Sequence, residues 1–151
     1  MPPLLTLADE AAYRQHFIQT YCRGVITTHD GMRVYFRNQD FGHAFFESSG
    51  RRGENDVFSP VRAQRMGWIA AALADPNADC FQGWNKRRKC YDPIRRVTVV
   101  IDDFVVVIGI SRKRDGNLKA NFITCYQADN SIGKIRQSPL WTMEDCLNAL
   151  R

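Results

Sequence analysis

Five consecutive residues toward the C-terminal end, Phe122-Ile-Thr-Cys-Tyr126, read as part of a strand. A strand turns successive side chains to opposite faces. Phe122, Thr124 and Tyr126 are therefore expected on one face, with Ile123 and Cys125 behind. That places two hydroxyls ~7 Å apart along the strand, with the Phe122 ring as an apolar wall or a stacking surface. A half-buried sheet face explains the same residues without any chemistry, because threonine and tyrosine are favoured there. Earlier in the chain, His43 sits among aromatics in Phe41-Gly-His-Ala-Phe-Phe46. Histidine titrates near neutrality and serves as acid or base, although on an apolar segment it is more usually structural. Arg62 and Arg65 follow on a helix, three residues apart and so on one flank. From there two guanidiniums reach a cleft or point to water.

The charge pattern narrows the class of ligand. The chain carries a formal charge of +5, made by sixteen arginines and five lysines against sixteen acidic residues. Guanidinium groups bind phosphate bidentately and stack on bases, whereas ammonium groups act as point charges. A polyanionic partner follows, with nucleic acid foremost; solvated surface charge is the plainer alternative.

These residues need elements to position them. Apolar positions Leu7, Ala11, Ala12, Phe17, Ile18 and Tyr21 predict a helix over 7–22 that Gly24 ends. Val25 to Thr28 and Met32 to Phe36 flank His29-Asp30-Gly31, a hairpin signature. Residues 37–58 are polar and glycine-containing apart from the His43 cluster, and Ser48 to Gly53 reads as a basic loop. Ser59-Pro60 is a helix start, and the helix runs to Leu73 before Asp75-Pro76. Strands are expected at Cys80 to Trp84, Val97 to Ile101, Phe104 to Ile110 and Leu118 to Tyr126, with turns at Asp92-Pro93, Asp102-Asp103 and Arg114-Asp-Gly-Asn117. A helical turn at 132–136 and a capping box at Thr142 to Asp145 complete the pattern. One α+β domain over 1–151 is the expectation, and no repeat or linker breaks it.

The bulk properties exclude several classes. With 151 residues and 44% apolar content, the chain can bury a core. Its longest apolar run, Phe104 to Ile110, is too short to span a bilayer. Met-Pro-Pro-Leu-Leu-Thr-Leu lacks the cationic start of a signal peptide. Action in the cytoplasm is expected, alone or after delivery as the tail of a larger effector. Five scattered cysteines without a CxxC pattern read as reduced thiols and give no metal-ligand spacing.

The order of the motifs carries a resemblance. A histidine in a short aromatic segment is followed by a helix with Arg-x-x-Arg-x-x-Trp-Ile (62–69). A β-meander then closes on Phe-x-Thr-x-Tyr (122–126), and a tail bears Ser-Pro-Leu-Trp (138–141). This order resembles the ribonucleases grouped with barnase, EndoU, RelE and the tRNA-cutting colicins, above all the forms found as toxins of contact-dependent growth inhibition systems and in phage genomes. The likeness spans 40–141 and leaves 1–36 outside. It implies N-terminal helices packed on a four- to five-stranded antiparallel sheet. It also implies an RNA endonuclease that uses neither metal nor cofactor, acts on tRNA, and is held in check by an acidic immunity protein.

Position by position, the resemblance makes His43, Arg62, Thr124 and Tyr126 the catalytic set, with Arg65 the second choice of arginine. Arg51 and Arg52 in the preceding loop and Lys86 and Arg87 in the basic run would grip the RNA, beside Phe122. Such families vary in their acid–base groups, so Lys119 is a further candidate, expected on the strand face opposite Thr124. Cleavage by the RNA's own 2′-hydroxyl needs a base, an acid for the 5′-oxygen, and cations on the phosphorane. Histidine, tyrosine and arginine can supply these, leaving a 2′,3′-cyclic phosphate. A non-catalytic nucleic-acid-binding module, or a partner-binding domain of a phage or secretion apparatus, needs only the basic surface.

Overall fold

A computed structural model describes residues 1–50 and 56–151; Arg51 and Arg52 lie outside the described residues. Helix α1 (Glu10–Phe17) is capped by Asp9, whose carboxylate accepts from the Ala12 amide, and widens into a π-turn at Ile18–Cys22. The wider turn brings Tyr21 beneath Phe17, and its hydroxyl donates to the Met66 carbonyl while accepting from the Ala70 amide. Phe17 lies within 6.0 Å of the Phe36, Phe41 and Phe45 rings. The N-terminal helix thus shares one core with the segment that carries His43.

After α1 come the short strands β1 (Ile26–Thr27) and β2 (Arg33–Tyr35), then helix α2 (Phe41–Ala44). A small hairpin, β3 (Phe46–Glu47) with β4 (Val57–Phe58), leads into helices α3 (Pro60–Ala63) and α4 (Met66–Ala74). The expected single helix from Ser59 is therefore two. Its ladder gives way at Gln64 and Arg65, where the Gln64 carbonyl takes the Leu5 amide and Arg65 and Trp68 bond three residues back. Ser59 caps the first piece as expected, accepting from the Arg62 amide at 3.2 Å.

Strands β5 (Asp79–Asn85), β6 (Cys90–Val99), β7 (Phe104–Arg112) and β8 (Leu118–Gln127) form the meander, followed by α5 (Ile132–Arg136) and α6 (Met143–Ala149). The sheet order is β1-β2-β8-β7-β6-β5. Six strands rather than four or five make it, and it is mixed, because β2 runs parallel to β8 through Val34 and Ala120. The α+β class holds, while an all-antiparallel sheet does not. Phe104, Val106, Ile108 and Phe122 point to the helices; Phe81, Val97, Val105 and Val107 point away into a smaller cluster under α5. Across the edge of β5, the Gln82 amide donates to Pro139 and the Trp141 amide to Cys80, so the tail covers an edge that would otherwise be open.

Two bulges displace the expected geometry. Asp92-Pro93 does not turn the chain: it lies inside β6, where residues 93–95 bulge between the pairs Gly83–Asp92 and Gln82–Arg96. The second bulge is in β8, where Val107 pairs with Thr124 but Ile108 pairs with Phe122. One extra residue, Ile123, reverses the alternation from that point on.

Candidate functional site

The bulge at Ile123 decides which side chains meet. Phe122 turns into the helix-covered core, stacks on Phe36 at 4.8 Å and is 3% exposed. It is neither a wall of the site nor a stacking surface, contrary to the alternation expected of an unbulged strand. Thr124 and Tyr126 do share a face, with Ile123 as their neighbour in place of Phe122. The same phase change puts Lys119 on the face of Thr124, not behind it, since Ala120 and Phe122 both point into the main core.

That face forms a cleft of about 650 Å³ floored by Val97, Val107 and Ile123. Trp84 and Tyr91 form one wall from the β5–β6 hairpin, paired across the strands with ring centroids 5.1 Å apart. Lys86 stands at the tip of that wall, and Lys134, Ile135 and Ser138 close the other side from α5 and the tail. Arg95 comes from the β6 bulge and lies over Gly83, where an added Cβ would sit 2.4 Å from its Cγ. Glycine there is a packing requirement. Arg87 and Arg88 do not line the cleft; their amides close the turn on the Asn85 side chain.

A second cavity, of about 160 Å³, opens beside the first at the end of β8 and is lined by Glu47, Arg62, Arg65, Tyr126 and Asp129. Arg62 is held there by the Phe46 carbonyl at 3.0 Å and the Glu47 carboxylate at 3.5 Å. Arg65 donates to Val61 at 2.8 Å and packs over Trp68 at 5.3 Å, with its buried Nε unpartnered among the described residues. The shared flank read from their spacing is thus correct, despite the break between the helices. Tyr126 lines both cavities: the larger lies on the open face of the sheet, and the smaller reaches Phe104 and Cys125 on the helix-covered side. His43 is exposed on α2 and lines neither, although Phe41 and Ala44 on either side of it anchor α2 in the main core.

The groups around Tyr126 differ in chemical readiness. Burial pushes the Tyr126 phenol above its ordinary value, so it stays a neutral donor at physiological pH. Its hydroxyl and that of Thr124 make no hydrogen bond among the described residues, leaving both open to a ligand. Cys125 also borders the small cavity, but burial pushes its thiol up to about 12, with the Arg62 charge only partly offsetting this. It is no nucleophile at neutral pH. Among the described residues, no cluster of three His, Cys, Asp or Glu side chains gathers as a metal site. No described helix is long and apolar enough to cross a membrane.

Lys134, Arg95, Trp84 and Tyr91 had escaped sequence reasoning. The two aromatics flank the basic Lys86–Lys89 turn, so a hairpin pairing across that turn was the available signal. Arg95 and Lys134 depend on a bulge and on the fold-back of the tail, and had none. No family model, curated protein or solved structure matches this chain.

Proposed function

We propose that the chain is a metal-independent RNA endonuclease whose reaction centre lies at Tyr126, between the paired arginines and the aromatic-walled cleft. The observation that carries this reading is the position of Tyr126: its phenol makes no hydrogen bond among the described residues, and the residue borders both a cavity holding Arg62 and Arg65 and a cleft holding Thr124, Lys86, Arg95 and Lys134. A phosphodiester at Tyr126 meets guanidiniums suited to phosphorane oxygens. Its flanking bases meet Trp84 and Tyr91, and base–aromatic stacking suits single strands of any sequence. The 2′-oxygen attacks phosphorus as its proton passes to a carboxylate of the small cavity, Glu47 or Asp129. The bond from phosphorus to the 5′-oxygen breaks, Tyr126 gives its proton to that departing oxygen, and Thr124 hydrogen-bonds the phosphate. The likeness to barnase-type and colicin-type toxins adds tRNA as the target, the cytoplasm as the place of action and an acidic inhibitor as a partner.

Purified protein incubated with total tRNA in EDTA tests this. Discrete fragments ending in a 2′,3′-cyclic phosphate are expected, and intact tRNA together with intact oligoribonucleotides of mixed sequence sinks the reading. A second reading, RNA binding without cleavage, is favoured by one observation: no histidine or carboxylate lines the large cleft among the described residues. It expects salt-dependent binding with every strand intact afterwards.

Arg95 offers a separate check on the binding step. Gly83→Ala forces a Cβ against Arg95 Cγ and Cδ, at 2.4 and 2.5 Å, and must push the guanidinium out of place. One lost phosphate contact lowers the salt slope of single-strand binding by about 0.7. Affinity for a short RNA, measured across a salt series, should show that change; an unaltered slope removes Arg95 from the contact set.

A further inference from the structure

The open face of the sheet continues well past the cleft. Val34 and Ala120 point into the main core, so Arg33, Tyr35, Lys119 and Asn121 face the other way, on the side of the cleft. The sheet register aligns Tyr35, Asn121, Gly109 and Arg95 in one row across four strands. At about 4.8 Å between strands, that row runs roughly 14 Å from Arg95, a cleft residue, to Tyr35. Gly109 adds no side chain of its own to the row, and Ile123 Cδ1 lies 3.5 Å from where its Cβ would stand.

At the far end stands an unusual arrangement for a bare sheet surface. Arg33 and Lys119 are direct register partners, so two cations are held side by side, which is unfavourable without a counter-charge. Among the described residues neither has an acidic partner. Both instead lie over the Tyr35 ring, at 5.0 and 5.8 Å, and the buried Nε of Arg33 has no hydrogen-bond partner among the described residues. Tyr35 itself is 39% exposed. A half-exposed ring with two cations over it, neither with an acidic partner among the described residues, suits a nucleotide, its base stacking on the exposed part of the ring or on the guanidinium plane and its phosphate between the charges.

We infer that Tyr35, Arg33 and Lys119 form a second nucleotide subsite, and that single-stranded RNA runs from the cleft over Arg95, Gly109 and Asn121 to reach it. The inference rests on the RNA-binding reading of the cleft. The subsite takes a base and phosphate several nucleotides from the scissile bond, so it acts on long strands only. It raises affinity for extended substrates without entering the chemistry.

The test compares two fluorescent 2′-O-methyl oligoribonucleotides, which lack the attacking hydroxyl: a trinucleotide, and a strand of about ten residues, within the range of single-strand site sizes. Tyr35→Ala should weaken the longer strand roughly five- to hundredfold, the range for losing one stacked base, and leave the trinucleotide unchanged. Tyr35→Phe should retain the affinity, and Lys119→Gln should lower the salt slope for the longer strand by about 0.7. Trp84→Ala, in the cleft wall, should weaken both strands. If Trp84→Ala weakens both and Tyr35→Ala weakens neither, the second subsite is overturned and the cleft stands. If neither substitution changes either affinity, or the unmodified protein binds neither strand, both readings fall.

Discussion

Tyr126→Phe should reduce RNA cleavage at least about a hundredfold, within the range for a lost proton donor, while changing stability by no more than about 0.5 kcal/mol. The two effects separate because the Tyr126 hydroxyl bonds nothing in the fold among the described residues. The ring, which packs on the Val105–Val107 side of the sheet, is kept by phenylalanine. The loss should fall on kcat more than KM, since Lys86, Arg95, Lys134 and the stacking wall remain. Burial holds the phenol above its ordinary value of about 10. The wild-type rate, where it depends on the neutral phenol, should therefore not decline on the alkaline side until above that pH. Initial rates on a fluorogenic dinucleotide across a pH series would show both features. Full activity in Tyr126→Phe takes Tyr126 out of the reaction. The family likeness expects a comparable loss from His43→Ala. An active His43→Ala protein beside an inactive Tyr126→Phe one takes the imidazole out of the reaction and keeps the phenol in it.

What the sequence disclosed, and what it hid, follows from how far each feature reaches along the chain. Caps and turns are local: Asp30-Gly31, Arg114 to Asn117, Ser59-Pro60 and Thr142 all stand where the residue types place them. The flank shared by Arg62 and Arg65 is local as well, and survives the break at Gln64. Pairing partners are not local. Nothing in Arg33–Tyr35 announces a parallel match to residues 119–121, so the mixed sheet could not be read. Bulges are harder still, because a single unpaired residue leaves no compositional trace. Ile123 looks like any strand isoleucine, yet it moves Phe122 into the core and brings Lys119 around to the face of Thr124. The lining of the candidate site was legible at Thr124, Tyr126, Arg62 and Lys86. It was hidden at Arg95 and Lys134, whose positions depend on a bulge and a returning tail.

Asp30→Ala should destabilise the protein by about 3 kcal/mol at pH 7, the lower end of the cost of breaking a buried ion pair. The Arg96 side chain is 1% exposed, against 21% for Asp30. Its Nη1 donates to both Asp30 oxygens, at 2.9 and 3.2 Å, its Cζ lies 4.7 Å from the Trp141 ring centroid, and its buried Nε has no partner among the described residues. Removing the carboxylate strands a cation that has little water to turn to. Removing the cation strands a carboxylate that keeps some access to solvent, so Arg96→Met should cost less than Asp30→Ala. Burial alone would raise the Asp30 pKa, but the Thr28 hydrogen bond and the Arg96 charge outweigh it and hold the group below its ordinary value. The unfolded chain therefore takes up the proton first as pH falls. Asp30 contributes its full stability above the unfolded value of about 3.9, and that contribution is lost as pH drops through the lower folded value. The gap between wild type and Asp30→Ala, measured by urea unfolding, should be constant from neutrality to about pH 5 and shrink in stronger acid. A gap that persists unchanged in acid would mean that packing around the turn, not the charge, is what Asp30 supplies. The pair also bears on the site, because Arg96 precedes Val97 of the cleft floor and holds Trp141, whose amide ties the tail to β5. Loss of Asp30 should therefore loosen the Lys134 and Ser138 wall, and weaken RNA binding even where the protein remains folded.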